Sequence, residues 1–327
     1  MAGKVRWGIL ATGGIAAMFV KDLQLHGHTV TAVGSRSQHA ANEFAVKFGI
    51  GKAHASYEAL CADPEVDAIY VATPHPMHAD NARLALSNGK HVLVEKAFTV
   101  NAREAQEIVD LAASKGLVVL EAMWTRWLPH MVRIREIVRS GLLGDIRSVT
   151  ADHTQDLPDD PAHRLNALPL GGGALLDLGV YPISFTFDVL GTPKTIHAAG
   201  RLKETGADGT VATTFTYANG AVAQTLSGSD TAGRNIATIL GTKGRIEIDK
   251  VWYAPTSFRR YDEKNEVVEE YASQVEGRGM QFQAMELERL GAEGKTAGEI
   301  LSPAESVAIM GAMDEVRRQI GVKYPTE

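Results

Sequence analysis

The chain of 327 residues contains a single cysteine, Cys61. One thiol cannot close an intrachain disulfide, so burial of apolar surface must hold the fold, and a reducing cytoplasm is the expected setting. Its neighbours, Glu58-Ala59-Leu60-Cys61-Ala62, give it the look of a helix core position rather than a nucleophile. No cluster of Lys and Arg stands out, and with 33 basic against 39 acidic residues the net charge is -6 and the pI near 6.0. Such a surface repels phosphates, so nucleic acid is not an expected partner. The apolar runs look too short and too interrupted to span a bilayer, so no membrane partner is expected either. Nothing resembles a signal peptide, because Met1-Ala2-Gly3-Lys4 leads directly into an expected strand. Low-complexity tracts and internal repeats are also missing. What remains is an ordinary globular composition, 45% hydrophobic and 22% charged, at a length that suits two domains.

The most informative segment lies near the amino terminus, where an apolar strand runs into Gly8-Ile9-Leu10-Ala11-Thr12-Gly13-Gly14-Ile15-Ala16 and then a helix pattern. Ala11, Gly13 and Ala16 occupy the three small positions of a dinucleotide fingerprint. Small residues let backbone approach a pyrophosphate, and the helix start offers free N–H groups and a positive dipole end. A tight strand-to-helix turn needs glycine anyway, so the placement between strand and helix is what points to a nucleotide. The second strand then ends without the Asp or Glu that would accept hydrogen bonds from a ribose 2′-hydroxyl. Ser35, Arg36 and Ser37 stand there instead, a cationic fork with two hydroxyls suited to a 2′-phosphate. NADP(H) is therefore expected over NAD(H), the alternative for Arg36 being a solvated surface arginine.

Strand and helix patterns alternate up to about residue 122, with strands expected at residues 5–10, 30–33, 68–71, 91–94 and 117–120. Amphipathic stretches at 40–48, 79–87 and 102–115 separate them, the last with Asn101 and Glu104 as a capping box and Gly116 as its stop. Alternation of this kind means a parallel sheet with helices on both faces and ligands at the strand carboxyl ends. After that the pattern changes. A helix at 129–140 and a strand near 146–152 precede a long helix at 174–190. Two-period stretches follow at 195–201, 211–217, 221–227, 236–240, 245–248 and 266–271, which read as a mostly antiparallel sheet. Two helices close the chain, the second opening on Ser302-Pro303-Ala304-Glu305. The expected architecture is thus a Rossmann dinucleotide-binding domain over residues 1–122 and an α+β substrate-binding and oligomerisation domain, built on an open sheet, over 123–327.

Two places carry candidate chemistry. One strand ends Val94-Glu95-Lys96-Ala97, at the edge where a nicotinamide would lie, so Lys96 is either a cleft amine beside Glu95 or a plain strand-end surface lysine. The other is Gly171-Gly172-Gly173-Ala174-Leu175-Leu176-Asp177-Leu178-Gly179-Val180-Tyr181. Its three glycines permit close approach of backbone to a ligand. Asp177 and Tyr181, four apart, share a helix face and fit proton transfer to a carbonyl oxygen, or else form a buried pair that steadies the helix. His75 and His78 lack a third ligand at recognisable spacing, so no metal is expected.

With these motifs in view, the chain resembles the Gfo/Idh/MocA oxidoreductases over essentially its whole length. The matching segments are residues 8–16, Ser35-Arg36-Ser37, Val71-Ala72-Thr73-Pro74-His75-Pro76-Met77-His78, Glu95-Lys96 and 171–181. More narrowly, Glu121-Ala122-Met123-Trp124-Thr125-Arg126-Trp127-Leu128-Pro129 and the glycine-led run look like the dimeric dihydrodiol dehydrogenase and NADP-dependent D-xylose dehydrogenase branch. The resemblance implies that Lys96 assists proton transfer and orients the substrate, that Tyr181 is the general acid/base where many relatives carry histidine, and that Asp177 holds substrate hydroxyls or tunes the pair. It implies that Ala11, Thr12, Gly13, Gly14, Ile15, Ser35, Arg36, Ser37, Thr73, Pro74, His78, Glu95 and Lys96 line the cofactor, with Trp124 and Arg126 flanking nicotinamide or substrate. His78 has an alternative reading as a helix-start hydrogen bonder. Where many relatives have proline after the lysine, this chain has Ala97 and lacks that backbone constraint. Asp152-His153-Thr154-Gln155-Asp156 carries no assigned role, although Arg164 and His153 could reach a polyol. The implied activity is NADP-dependent oxidation of a sugar, polyol or vicinal diol by a homodimer or dimer of dimers. A nicotinamide-dependent glycosidase and a non-catalytic nucleotide or sugar sensor are the alternatives.

Overall fold

The computed structural model describes residues 4–325, so the expectation for Met1, Ala2 and Gly3 lies outside the described residues. The protein divides into two units. The first takes the chain through Trp124 together with Glu276–Val307, and the second takes Thr125–Val275 with the described residues from Ala308 onward.

In the first unit, β1 (Arg6–Leu10), β2 (Thr29–Gly34), β3 (Lys52–His54), β4 (Ala68–Val71), β5 (His91–Glu95) and β6 (Val119–Ala122) form an all-parallel sheet. Their order is β3-β2-β1-β4-β5-β6. The strands are buried almost without alternation, as a sheet covered on both faces requires. The connecting helices are α1 (Gly14–Leu25), α2 (Gln38–Phe48), α3 (Tyr57–Ala62), α4 (His78–Ser87) and α5 (Ala102–Lys115). The switch in strand order falls between β1 and β4, so the crevice for a ligand opens beyond their carboxyl ends. The expected signals for α5 hold: the Asn101 side chain accepts from Glu104 N at 2.9 Å, and Gly116 takes the left-handed conformation with φ 64°. Cys61 is fully buried, and burial pushes its thiol up to about 12, as its core setting implied.

The second unit opens with α6 (Pro129–Arg139) and contains β7 (Ile146–Thr154) and α7 (Val180–Leu190). They are followed by β8 (Thr195–Leu202), β9 (Asp208–Thr216), β10 (Val222–Gly228), β11 (Ala237–Gly241), β12 (Gly244–Ile248), β13 (Phe258–Asp262) and β14 (Val267–Tyr271). The eight strands run in the order β14-β13-β12-β11-β7-β10-β9-β8, antiparallel except for the parallel pair β7–β10. Helix α7 packs against β7 and β10. Along β7 the side chains of Val149, Ala151 and His153 are buried, whereas Ser148, Thr150 and Asp152 between them are not.

Two expectations are corrected. The helical stretch Leu168–Leu190 is long and apolar enough, by composition, to cross a membrane; 78% of its apolar window is buried within the protein, which accounts for that apolarity without a bilayer. The second domain is also not one continuous segment. Residues Glu276–Val307, including α8 (Gln281–Glu293), return to the first unit, and α9 (Pro303–Ile320) begins there. The return is fixed by long-range hydrogen bonds. Asp22 on α1 accepts from Arg278 N at 3.1 Å and Met280 N at 2.9 Å, while Glu288 on α8 lies 2.8 Å from both Trp7 Nε1 and His28 Nδ1.

Candidate functional site

The turn after β1 is built to receive an anion. Gly13 sits at the N-cap of α1 without a side-chain cap, and the first turn carries no acidic residue, so the leading N–H groups and the positive dipole end are not neutralised by the chain's own side chains. A Cβ at Gly13 or Gly14 would meet nothing within 4 Å, which leaves a cradle of bare backbone for a bulky group. Ala11 takes a left-handed φ of 88°, a conformation that favours glycine, and its N–H donates to Gly34 O at 3.0 Å. That bond ties the fingerprint to the end of β2, where Arg36 is exposed beside Ser35 and Ser37. Ser37 caps α2 by accepting from Ala40 N at 3.3 Å. Burial raises the Tyr57 hydroxyl above its ordinary range, and the nearby Arg36 charge acts against that shift. The residues present therefore fit a phosphorylated dinucleotide: bare N–H groups for a pyrophosphate, and a guanidinium with two hydroxyls for a further phosphate.

Lys96 is half-buried at the end of β5, and the peptide joining it to Ala97 is cis although no proline is present. The Glu95 carboxylate accepts from the Tyr70 hydroxyl and, at 3.2 Å, from Lys96 N. His78 lies beneath this turn, its Nδ1 2.9 Å from Ala97 O and its Nε2 2.8 Å from Thr73 O. Burial holds its imidazole below the usual range, and the nearby Lys96 charge acts in the same direction. A neutral ring donates to one of the two carbonyls at a time. The contacts thus match the helix-start alternative: His78 joins the loops after β4 and β5 and so positions Lys96. Thr73 Oγ1 accepts from Asn81 at 3.2 Å, and Pro74 precedes the short turn His75–Met77.

In the second unit, Asp177 lies in a π-helical turn, Leu175–Gly179, that feeds straight into α7, where Tyr181 is the second residue. Such wide turns concentrate at functional positions. The Tyr181 ring is edge-on to His153 with centroids 4.9 Å apart, and His153 stacks on Tyr253 at 3.7 Å. Gln155 Nε2 lies 2.8 Å from His153 Nε2, and it donates to the Tyr253 hydroxyl at 3.4 Å. Asp177 forms an ion pair with Arg164 at 3.6 Å. The arrangement holds a phenol in a fixed aromatic frame, with a carboxylate four residues before it.

Lys96 belongs to the first unit, Asp177 and Tyr181 to the second. One reading is corrected. Gly172 and Gly173 do not open the backbone to a ligand. A Cβ on Gly172 would come within 2.8 Å of Ala167 N, and one on Gly173, with φ +136°, would strike the Asp208 carboxylate. That carboxylate is fully buried, accepts from Leu175 N at 2.6 Å, and is pushed up to about 6 by burial. The glycines therefore let the chain close on itself and seat the π turn. Arg126, expected to flank nicotinamide or substrate, is only 2% exposed. Its guanidinium donates to Ser184 O at 2.9 Å and pairs with Asp188 at 3.4 Å, a carboxylate shared with Arg135. It holds α7 in place. Trp124 stays in the first unit, where the Arg278 guanidinium lies 5.1 Å from its ring centroid.

Sequence reasoning missed Tyr253 and Gln155. The residue run Val251-Trp252-Tyr253 shows no helical or two-period pattern, but Val251 has φ 61°, and Trp252 Nε1 donates to Asp152 O at 2.7 Å. These constraints bring Tyr253 to the end of β7, a hundred residues earlier in the chain.

Known proteins match this design along the full chain. Residues 5–123 match the model described as "Oxidoreductase family, NAD-binding Rossmann fold", and residues 131–247 match the GFO/IDH/MocA C-terminal domain. A trans-1,2-dihydrobenzene-1,2-diol dehydrogenase from Mus musculus is 37% identical over 99% of both chains. A D-xylose 1-dehydrogenase (NADP(+)) from Hypocrea jecorina is 35% identical, over 98% of this chain and 93% of its own. Among solved structures, a 3-ketoreductase from Actinomadura kijaniata in complex with NADP and TDP-benzene superposes with a TM-score of 0.85 at 26% identity, covering 97% of this chain and 98% of the other. With an NAD-binding Rossmann unit at its amino end and relatives above 30% identity along its entire length, the chain belongs to the Gfo/Idh/MocA family of oxidoreductases.

Proposed function

We propose that the protein is a cytoplasmic NADP(H)-dependent dehydrogenase acting on a CH–OH group of a sugar, polyol or vicinal diol. The observation that carries this reading is the pairing, within one chain, of the bare anion cradle at Gly13 and Gly14 with the buried phenol of Tyr181 in its frame of His153 and Tyr253. The full-length likeness to a diol dehydrogenase and a D-xylose dehydrogenase supports the substrate class.

When bound, the nicotinamide supplies a two-electron reservoir that takes or returns a hydride. The chain's own residues do the rest. Tyr181 is the group at which the substrate hydroxyl proton leaves during oxidation and returns during reduction. Lys96 orients the reacting oxygen and favours charge on it, held in place by His78. Asp177 accepts from a neighbouring substrate hydroxyl, with Arg164 balancing its charge. Arg36, Ser35 and Ser37 select the phosphorylated cofactor.

Binding and turnover separate these roles. Lys96→Met is expected to retain NADPH affinity while losing turnover. Arg36→Ala is expected to weaken NADPH on the order of tenfold while leaving NADH unchanged, as loss of one charge-assisted contact implies. An unchanged preference between the two cofactors overturns the 2′-phosphate assignment. The free face of the eight-stranded sheet exposes Leu226 and Leu240, and a second copy is proposed to cover it as a homodimer or dimer of dimers. Light scattering on the purified protein reads the copy number directly, and a monomer at all concentrations removes this part.

A further inference from the structure

Arg36 stands exposed two residues beyond the carboxyl end of β2, and among the described residues it forms no ion pair with a carboxylate. A long side chain in that position loses rotamer freedom when it closes on a phosphate, and that loss weakens binding unless something holds the guanidinium beforehand.

The start of α3 is built against this spot. Gly34, the last residue of β2, pairs in register with His54 at the end of β3, and Ser35 N donates to His54 O at 3.1 Å. Two residues later Ser56 caps α3, accepting from Ala59 N at 3.1 Å. The helix leads from β3 to β4, two strands of a parallel sheet, so it begins at the carboxyl edge and runs back toward the amino edge. Its depth is set by Gly34, where an added Cβ would lie 2.8 Å from Leu60 Cβ and 3.1 Å from Ser56 O. Tyr57 precedes Leu60 by three residues and so shares its helix face, one turn nearer the carboxyl edge. Helical side chains lean toward the amino end of their helix, which carries the Tyr57 ring past Gly34 to the level of Ser35 and Arg36. The ring is half-buried, so its hydroxyl end is not committed to the core, unlike the fully buried Leu60 and Cys61. The Arg36 charge acts on that hydroxyl in favour of its ionised form, as a cation close to it must.

We propose that Tyr57 is the positioning residue that aims the Arg36 guanidinium at the cofactor's 2′-phosphate, its hydroxyl oxygen accepting one N–H of the fork. A phenol suits this task better than a carboxylate. A carboxylate would neutralise the guanidinium and repel the phosphate, whereas a neutral oxygen takes one of five N–H donors and leaves the charge and the others for the ligand. The proposal rests on the cofactor reading above and adds the residue through which Arg36 selects NADP(H).

The test is equilibrium titration of NADPH and NADH against wild type, Tyr57→Phe, Arg36→Ala and the double variant. Tyr57→Phe is expected to lower the preference for NADPH about fivefold, through weaker NADPH binding alone, as loss of one hydrogen bond to a charged group implies. In the Arg36→Ala background the same change is expected to cost nothing further, because the group being aimed is gone. Should Tyr57→Phe fail to fold, Tyr57→Leu, which also lacks the hydroxyl, is held to the same outcomes. A wild-type preference retained without the hydroxyl, an equal loss for both nucleotides, or a further loss of about fivefold in the Arg36→Ala background each overturns the proposal alone. If wild type itself binds the two nucleotides equally, the proposal falls together with the 2′-phosphate assignment of Arg36.

Discussion

Two glycine runs in this chain look alike on paper and do opposite things. Over Gly13 and Gly14 an added Cβ would meet nothing within 4 Å, whereas at Gly172 and Gly173 it would collide with Ala167 and Asp208. The first run keeps backbone bare toward the outside; the second lets backbone and a buried carboxylate close tightly inside the second unit. A glycine cluster therefore states that something comes near the backbone, and only the fold tells whether that is a ligand or the protein itself.

Substitutions break this contrast in order of size. Gly173→Ala is expected to be the most damaging, because its φ of +136° is unsuited to a side chain and the methyl would displace Asp208 from Leu175 N. A loss of about 3 kcal/mol or more follows, read as an earlier thermal unfolding transition. Gly14→Ala is expected to leave thermal unfolding essentially unchanged and to weaken NADPH binding by about tenfold, measured by titration. Equal damage from the two alanines to stability would erase the distinction. The smallest effect belongs to Ala11→Gly. The positive φ of the first run falls on alanine, so glycine there is expected to stabilise the fold by about 1 kcal/mol or less, strain relief being offset in part by the freer unfolded chain.

Local signals were legible in the sequence, and contacts between distant residues were not. The parallel unit announced itself through apolar runs and caps; Asn101, Gly116 and Ser302 cap or stop their helices as their types imply. Strand β6 lies two residues later than expected, at Val119–Ala122. Strands β3 and β13 were missed for different reasons. The first has only three residues, and the second reads Phe-Arg-Arg-Tyr-Asp, without alternation of apolar residues. What stabilises β13 lies across the ladder, where Arg260 pairs with Glu269 at 3.2 Å directly opposite it in register. The return of α8 depends on Asp22, Trp7 and His28, more than 250 residues earlier in the chain. At the candidate site, Lys96, Asp177 and Tyr181 were visible as residue types in suggestive settings. The ring stack of His153 on Tyr253 and the capture of Arg126 by Asp188 were not, because each depends on a partner that sequence spacing does not bring near.

The most direct test is steady-state reduction of NADP+ by wild type and Tyr181→Phe across a panel of aldoses, polyols and cyclic vicinal diols, followed by the near-ultraviolet absorbance of NADPH. The account predicts NADPH formation with at least one member of the panel. It also predicts a fall in kcat of roughly 10² to 10⁴-fold in Tyr181→Phe with NADPH affinity retained, the range expected for loss of a positioned proton-transfer group. Undiminished turnover in Tyr181→Phe, or no turnover by wild type with any of these compounds, would contradict it.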